Sequence, residues 1–333
     1  MSEKRDRVAA AVAGREVDRP PISTWRHFYD VEMTGNGLVE AMLAFHRAYD
    51  WDFMKVNPRA QYHVEDWGAT FTYTGEPATA PTAASLPVAA VEDWGRIRPL
   101  SPTHGVLGEH LRALQAIKRE LKGEAPFVMT VFNPISVAGR LVQSEDVLLG
   151  HLRQRPQVVH VALEAITETF RGYVAECLNA GADGIFFATT SWASHDLLTD
   201  QEYQEFGRPY DLRVLEAARD AGFNILHVCR SNNMLASLAD YPHVHAINWD
   251  DRDATNPTLS DARALTGRAL LGGVSTDVLR RSATPDAVAQ QVRDAIRQTG
   301  GRGFMLGPSC SISPRCPEAN LRAMREALLA SLT

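Results

Sequence analysis

The sequence predicts an α/β fold, a single (β/α)8 barrel spanning residues 1–333. Three observations lead there. Eight short apolar runs recur along the chain, most of them followed by an amphipathic stretch. The runs are apolar on both faces, as parallel strands covered by helices are. No glycine-rich phosphate turn follows the first run, which continues as TWRHFYD (24–30), so the doubly wound open sheet lacks its signature.

The first expected strand is PPISTW (20–25) and the second FMKVN (53–57). After the second comes an excursion. YHVEDWGATFTYTGE (62–76) alternates like a hairpin and is followed by the Ala/Pro/Thr-rich ATAPTAASLP (78–87), which reads as a hairpin and loop insertion over the barrel mouth. A helix over HLRALQAIKREL (110–121) leads to the third strand, PFVMTVF (126–132). The long helical pattern 158–181 precedes GIFFAT (184–189). The pattern 201–222 precedes NILHV (224–228) and contains Pro209, so it is either kinked or two helices. VHAINW (244–249) and ALLGGV (269–274) follow. Thr284-Pro285-Asp286 supplies a cap and a proline where the helix 284–301 should begin. GFMLG (303–307) is the eighth strand and 317–332 the closing helix. Three of these helical patterns end in glycine, as C-caps do.

Composition narrows the class of function. The chain is 45% hydrophobic and 22% charged, ordinary for a globular enzyme. A net charge of −6 and the absence of Lys/Arg runs interleaved with aromatics argue against nucleic acid. No segment approaches the ~20 apolar residues of a membrane span. The opening MSEKRDRVAAAVAGREV is charged where a signal peptide is apolar, so a cytoplasmic setting is expected. The four cysteines, Cys177, Cys229, Cys310 and Cys316, are too sparse for a disulfide scaffold.

His227 and Cys229 are two apart at the end of the fifth strand, and side chains two apart on a strand share a face. Cys310 follows the eighth strand. All three therefore sit at the C-terminal, catalytic end of the expected barrel. One histidine and two thiolates leave a fourth position free, which is how catalytic zinc differs from structural zinc. Two thiolates and a neutral imidazole cancel the charge of Zn2+, and a substrate thiol in the free position would lose its proton yet stay nucleophilic. Methyl transfer to sulfur needs such a thiolate. From His-x-Cys alone, the competing account is two buried small apolar cysteines and a satisfied core histidine. The joint placement of the three at strand ends favours metal.

Several stretches resemble the uroporphyrinogen decarboxylase superfamily: REVDRPPISTWRH (15–27), LLGGVST (270–276) and FMLGPSCSISPRCPEANLRAM (304–324). The resemblance implies one (β/α)8 barrel and offers two chemistries. The corrinoid-dependent methyltransferase branch, which includes the methylcobamide:coenzyme M enzymes, carries a His-x-Cys pair and a distant cysteine as zinc ligands. His227, Cys229 and Cys310 match those positions. The resemblance thus implies a zinc-dependent methyltransferase acting on a thiol or similar soft nucleophile, with a methylcorrinoid as co-substrate. The Asp-x-His-x-x-Gly motif of the corrinoid-carrying module is absent, so the corrinoid would arrive on a partner protein. The decarboxylase branch uses no metal. Its Arg-Gln-Ala-Gly-Arg stretch is Arg26-His27-Phe28-Tyr29-Asp30 here, and its Phe-Ser-Asp context is Asn57-Pro58-Arg59. Its tyrosine after the third strand is not evident in Phe132-Asn133-Pro134-Ile135. Decarboxylation of a tetrapyrrole or other polycarboxylate, relying on Arg26, is the alternative. A barrel that binds a corrinoid or thiol without turnover is the third reading. A homodimer is expected by analogy alone.

Other polar residues follow the strands. Asn57, Arg59, His195, Asp250 and Asp277 are candidates to orient substrate or serve as acid or base, against helix caps and solvated loops. His63 and Trp67 either contact substrate from the excursion or seal it against the barrel. Arg230 stands where the methyltransferase branch tends to have glycine, and either meets an anionic substrate or replaces a tight turn. Cys177, mid-helix, is assigned to the core. Cys316, beside a helix start, is read as a cap substitution, with a fourth ligand or a redox-sensitive thiol as the alternatives.

Overall fold

The computed structural model describes residues 3–280 and 283–331. The strands are β1 (Met54–Val56), β2 (Thr70–Thr72), β3 (Thr82–Ser85), β4 (Phe127–Phe132), β5 (Gly184–Ala188), β6 (Ile225–Val228), β7 (Ala246–Trp249), β8 (Ala269–Val274) and β9 (Phe304–Pro308), all but β2 and β3 from the apolar runs. Seven of them pair in parallel in the order β1-β4-β5-β6-β7-β8-β9, and β2 and β3 form a separate antiparallel pair. The result is an α/β fold with a curled, TIM-like parallel sheet. Among the described residues, no helix is long and apolar enough to cross a membrane.

Alternation along the strands separates two apolar clusters. Phe127, Met129 and Val131 of β4, Leu226 and Val228 of β6, and Ile247 and Trp249 of β7 belong to the large cluster shared with the helices. Val128, Phe186, Ile225, Ala246, Leu271 and Met305 belong to a smaller one on the opposite face, inside the curl. Lys55, His227 and Asn248 have the parity of that inner face.

Seven regular strands replace the eight expected. Residues 20–26 make only isolated parallel bridges, Ile22 with Leu306 and Arg26 with Ile312. The segment still links β9 to the chain entering β1. Leu306 N donates to the Pro21 carbonyl (2.8 Å), and Asp52 N donates to that of Ile22 (2.9 Å). Pro20 and Pro21 have no N–H to give to a ladder, which keeps the run irregular. Asp52 fastens it instead. Its fully buried carboxylate accepts from Ile22 N (2.8 Å), Arg19 (2.5 Å) and Arg7 (2.7 Å).

Between β1 and β4 the structure departs from the expected hairpin over 62–76. Tyr62–Glu65 is a short helix, and the strand paired with Thr70–Thr72 comes from the Ala/Pro/Thr-rich stretch at Thr82–Ser85. Tyr62 is pulled inward, its hydroxyl donating to the Thr130 carbonyl at 2.7 Å. The helix expected over 110–121 begins earlier, at Gly105, because Asp66 accepts from Val106 N and Leu107 N and caps it. The 201–222 pattern is two helices, Asp200–Phe206 and Arg208–Glu216, with Pro209 in the first turn of the second. Thr284 caps Pro285–Thr299 as expected. The 317–332 helix runs Glu318–Ala330, and residue 332 lies outside the described residues. Cys177 is fully buried in Pro156–Asn179.

Removing the Asp52 carboxylate strands Arg19 and the Ile22 amide and takes from Arg7 one of its two carboxylate partners. Asp52→Ala is expected to lower unfolding free energy by roughly 3–5 kcal/mol, as breaking a buried ion pair does. Asp18→Ala removes an exposed partner of Arg7 and should cost at most about 1 kcal/mol. Urea unfolding of the two variants checks the contrast.

Candidate metal centre

β6 carries His227 on its inner face, and Cys229 follows with the same parity one residue past the strand. Arg230 then turns the chain with φ +75°, and its carbonyl accepts from Asn256 Nδ2 (3.0 Å). Cys310 lies two residues past β9. Cys310 Sγ is 3.8 Å from Cys229 Sγ and 3.7 Å from His227 Nε2, and the three ligand atoms lie within 4.8 Å of one another. A tetrahedral zinc, with Zn–S about 2.3 Å and Zn–N about 2.0–2.1 Å, sets two sulfurs about 3.8 Å apart and a sulfur and nitrogen about 3.6 Å apart. The two separations from Cys310 match these values, and the third pair, His227 and Cys229, lies within 4.8 Å.

Asn248 sets the histidine tautomer. It pairs with His227 across the β6–β7 register. Its Nδ2 donates to the carbonyls of Leu271 (2.9 Å) and Pro308 (3.1 Å), so Oδ1 is the atom facing His227 Nδ1 at 2.6 Å. Nδ1 must therefore carry the proton, which leaves the Nε2 lone pair directed at the cysteines. The hydrogen bond from Cys229 pulls Cys310 well below the usual thiol range, and the same bond pushes Cys229 well above it.

These three groups form part of the wall of a cavity of about 440 Å³. Sequence reasoning missed two residues of this site, Asn248, which holds His227, and Lys55, which lines the cavity. Lys55 is only 4% exposed. Its ammonium donates to Asn57 Oδ1 and lies over the rings of Phe186 (4.6 Å) and Trp25 (5.8 Å). Burial pushes it down to about 7, against the opposing pull of Cys310. In the sequence each is a polar letter inside a largely apolar run, FMKVN and VHAINW, with inner-face parity as the available signal.

The other candidates divide between wall and elsewhere. Asn57, Arg59 and His63 line the cavity. The Arg59 guanidinium is engaged by Glu65 (3.0 Å), Glu109 (3.2 Å) and the Met33 carbonyl (2.7 Å). His63 is buried against Phe132, ring centroids 4.2 Å apart, and burial keeps it well below the usual imidazole range. Trp67 is not on the wall; its Nε1 donates to the Arg98 carbonyl and it packs beside Phe170, the sealing role. His195 is exposed and lies off the wall. Asp277 is exposed too and pairs with Arg280 at 3.1 Å. Asp250 accepts from Arg252 N, and burial raises its carboxyl; it too lies off the wall. Arg26 faces away: Trp25 and His27 line the cavity, while Arg26 lies over Phe28 and Phe45 and donates to the Pro314 carbonyl (3.0 Å). The Arg230 side chain is exposed. Cys316 is buried at the start of the last helix, apart from the metal cluster, and burial pushes its thiol up to about 11.

Residues 3–330 match the family model for uroporphyrinogen decarboxylase (URO-D). The chain is 23% identical over 254 residues to a uroporphyrinogen decarboxylase of Prochlorococcus marinus (strain NATL2A), covering 72% of this chain and 68% of that protein. It is 24% identical over 267 residues to that of Syntrophotalea carbinolica, covering 77% and 73%. Among solved structures it resembles a methyltransferase from Methanosarcina mazei, with a TM-score of 0.84, 20% identity and complete coverage of both chains. It also resembles a B12-independent methionine synthase from Shewanella sp. W3-18-1, with a TM-score of 0.61, 12% identity and 94% and 97% coverage. At these identities the structural likenesses speak for the fold. With the family match running over nearly all of its length, the chain belongs to the uroporphyrinogen decarboxylase family.

Proposed function

We propose that the chain is a zinc-dependent methyltransferase built on one (β/α)8 barrel, moving a methyl group between a methylcorrinoid and a thiol or similar soft nucleophile. The observation that carries this reading is the separation of His227 Nε2, Cys229 Sγ and Cys310 Sγ, which suits a tetrahedral ion with one position left toward the cavity. The likeness to the methyltransferase from Methanosarcina mazei supports it at the level of fold. Zinc held there supplies Lewis acidity that keeps a thiol deprotonated and nucleophilic at neutral pH. The protein's own residues do the rest. Asn248 holds the His227 ring and its tautomer. Cys229 and Cys310 contribute the two negative charges. Trp25, Phe132 and Phe186 give the cavity apolar walls that limit water beside a reacting sulfur. The corrinoid would be presented by a partner protein at the open end of the cavity.

Decarboxylation is the second reading, favoured by the names of the curated relatives. It calls for an arginine clamp on the substrate, and Arg26 is turned from the cavity.

Purified protein is expected to hold about one zinc per chain by atomic emission, and Cys229→Ala and Cys310→Ala should lose it. A wild type that is active after complete metal removal would overturn the reading. Asn248→Ala should fold and retain both cysteines yet bind zinc about 10–100-fold more weakly, as loss of a histidine-orienting partner does. Competition with a chromophoric chelator measures this.

A further inference from the structure

Arginine is the cation this chain uses. Of its 34 lysines and arginines, only Lys4, Lys55, Lys118 and Lys122 are lysines. Lys118 and Lys122 are exposed, and Lys4 is paired with Asp50 and Glu124. Lys55 alone of the four is set inside the curl, on β1 and on the wall of the cavity. The residue type matters there. A guanidinium stays protonated throughout, whereas a buried lysine can give up its proton and become a nucleophile.

The surroundings of the Lys55 side chain favour the neutral amine. Among the described residues it has no carboxylate partner. Its hydrogen-bond acceptor is Asn57 Oδ1, two residues on and of the same parity. An ammonium carries three donors and would leave two of them without an acceptor, over the rings of Phe186 (4.6 Å) and Trp25 (5.8 Å). Those ring faces attract a cation, but they return less than its desolvation removes. Burial accordingly pushes Lys55 down to about 7, so about half of the molecules carry the free amine at neutral pH, against about 0.04% for an ordinary lysine. With one N–H on Asn57, the lone pair of that amine is left over for the cavity. The pairing of β1 with β4 holds it in place.

We propose that Lys55 is a nucleophilic amine that forms an imine with a small aldehyde or ketone admitted to this cavity. The Nζ lone pair attacks the carbonyl carbon. A C–N bond forms and becomes C=N, and the carbonyl oxygen leaves as water with the two hydrogens of the amine. No oxidant or reductant enters. Trp25, Phe132 and Phe186 supply apolar wall for the hydrocarbon part of the ligand. The proposal does not rest on the metal reading, because Lys55 is not among the groups that would hold the ion.

The first test treats the wild type at neutral pH with limiting propanal and cyanoborohydride, which traps an imine as the propylamine, and locates the label by peptide mass spectrometry. Lys55 is expected to react about tenfold or more faster than Lys118 and Lys122, which are controls within the same molecule. Labelling of Lys55 no faster than theirs would overturn the proposal without any variant. Turnover is read from the loss of oxygen-18 from labelled butanone into water, since each cycle of imine formation and hydrolysis replaces the carbonyl oxygen. The wild type should speed this exchange. Lys55→Arg, which keeps the charge without a nucleophilic amine, should lose it, as should Lys55→Met, which keeps the length. A wild type no faster than buffer, or exchange that persists in either folded variant, overturns the proposal. Protein stripped of metal should exchange as fast as zinc-loaded protein. Exchange that disappears with the metal would belong to the metal centre, which sinks the Lys55 assignment and leaves the methyltransferase reading untouched.

Discussion

The two-residue period of an extended strand is the constraint on which the site depends. In a parallel sheet covered by helices, one parity of each strand packs outward and the other faces the inside of the curl. Lys55, His227 and Asn248 share that inner parity on β1, β6 and β7, and Cys229 continues it past the end of β6. A slip of one residue in any of these strands would send the polar group into the helix layer and an apolar one into the cavity. The apolar residues of the large cluster therefore fix the chemistry indirectly, since their burial sets the register that aims the polar ones. The His227–Asn248 pair shows this at atomic scale, because the bond between them exists only when β6 and β7 are in this register.

The same period explains what could be read from the sequence. His-x-Cys at the end of an apolar run was legible because two-residue spacing implies a shared face, and Cys310 because it follows another strand end. The order of strands and helices was legible for the same reason. Lys55 and Asn248 were hidden inside runs taken as apolar wholes. Arg26 was misplaced because its neighbours were read as one binding stretch, although Trp25 and His27 must point opposite to it. The first strand failed through Pro20 and Pro21, whose missing donors matter only where a ladder has to form. The hairpin misregistered because Tyr62 and His63 are drawn into the interior, which no local alternation reveals. At Arg230, the φ of +75° and the exposed side chain accord with the tight-turn alternative.

Two buried charges in this fold make a useful contrast. Asp52 is fully enclosed and satisfied three ways, by Arg19, Arg7 and the Ile22 amide, and it ties an irregular segment to the sheet. Its neighbourhood is closed, with little left for a ligand to do. Lys55 is almost as buried but has one amide oxygen and two aromatic faces. A charge whose partners are all protein atoms contributes to the fold, whereas one left open toward a cavity lowers stability for the sake of something that binds there. By that criterion the fold-holding and ligand-holding charges separate without reference to any relative.

Family membership and chemistry are likewise separable here. One curled sheet can present an arginine clamp to a polycarboxylate or soft donors to a metal, depending on which residues occupy inner positions at the strand ends. In this chain the position available to a clamp points Arg26 toward Phe28 and Phe45, where its charge meets aromatic rings instead of substrate. The strand ends that face inward carry imidazole and thiols instead. A clamp and a thiolate-ligated ion also make opposite demands on the cavity. The clamp needs several cations converging on carboxylates, while the ion needs concentrated negative charge and few competing cations nearby. The cavity wall carries Lys55, Arg59 and Arg140, of which Arg59 is already paired with Glu65 and Glu109, while Lys55 and His227 pack against the same ring, Phe186.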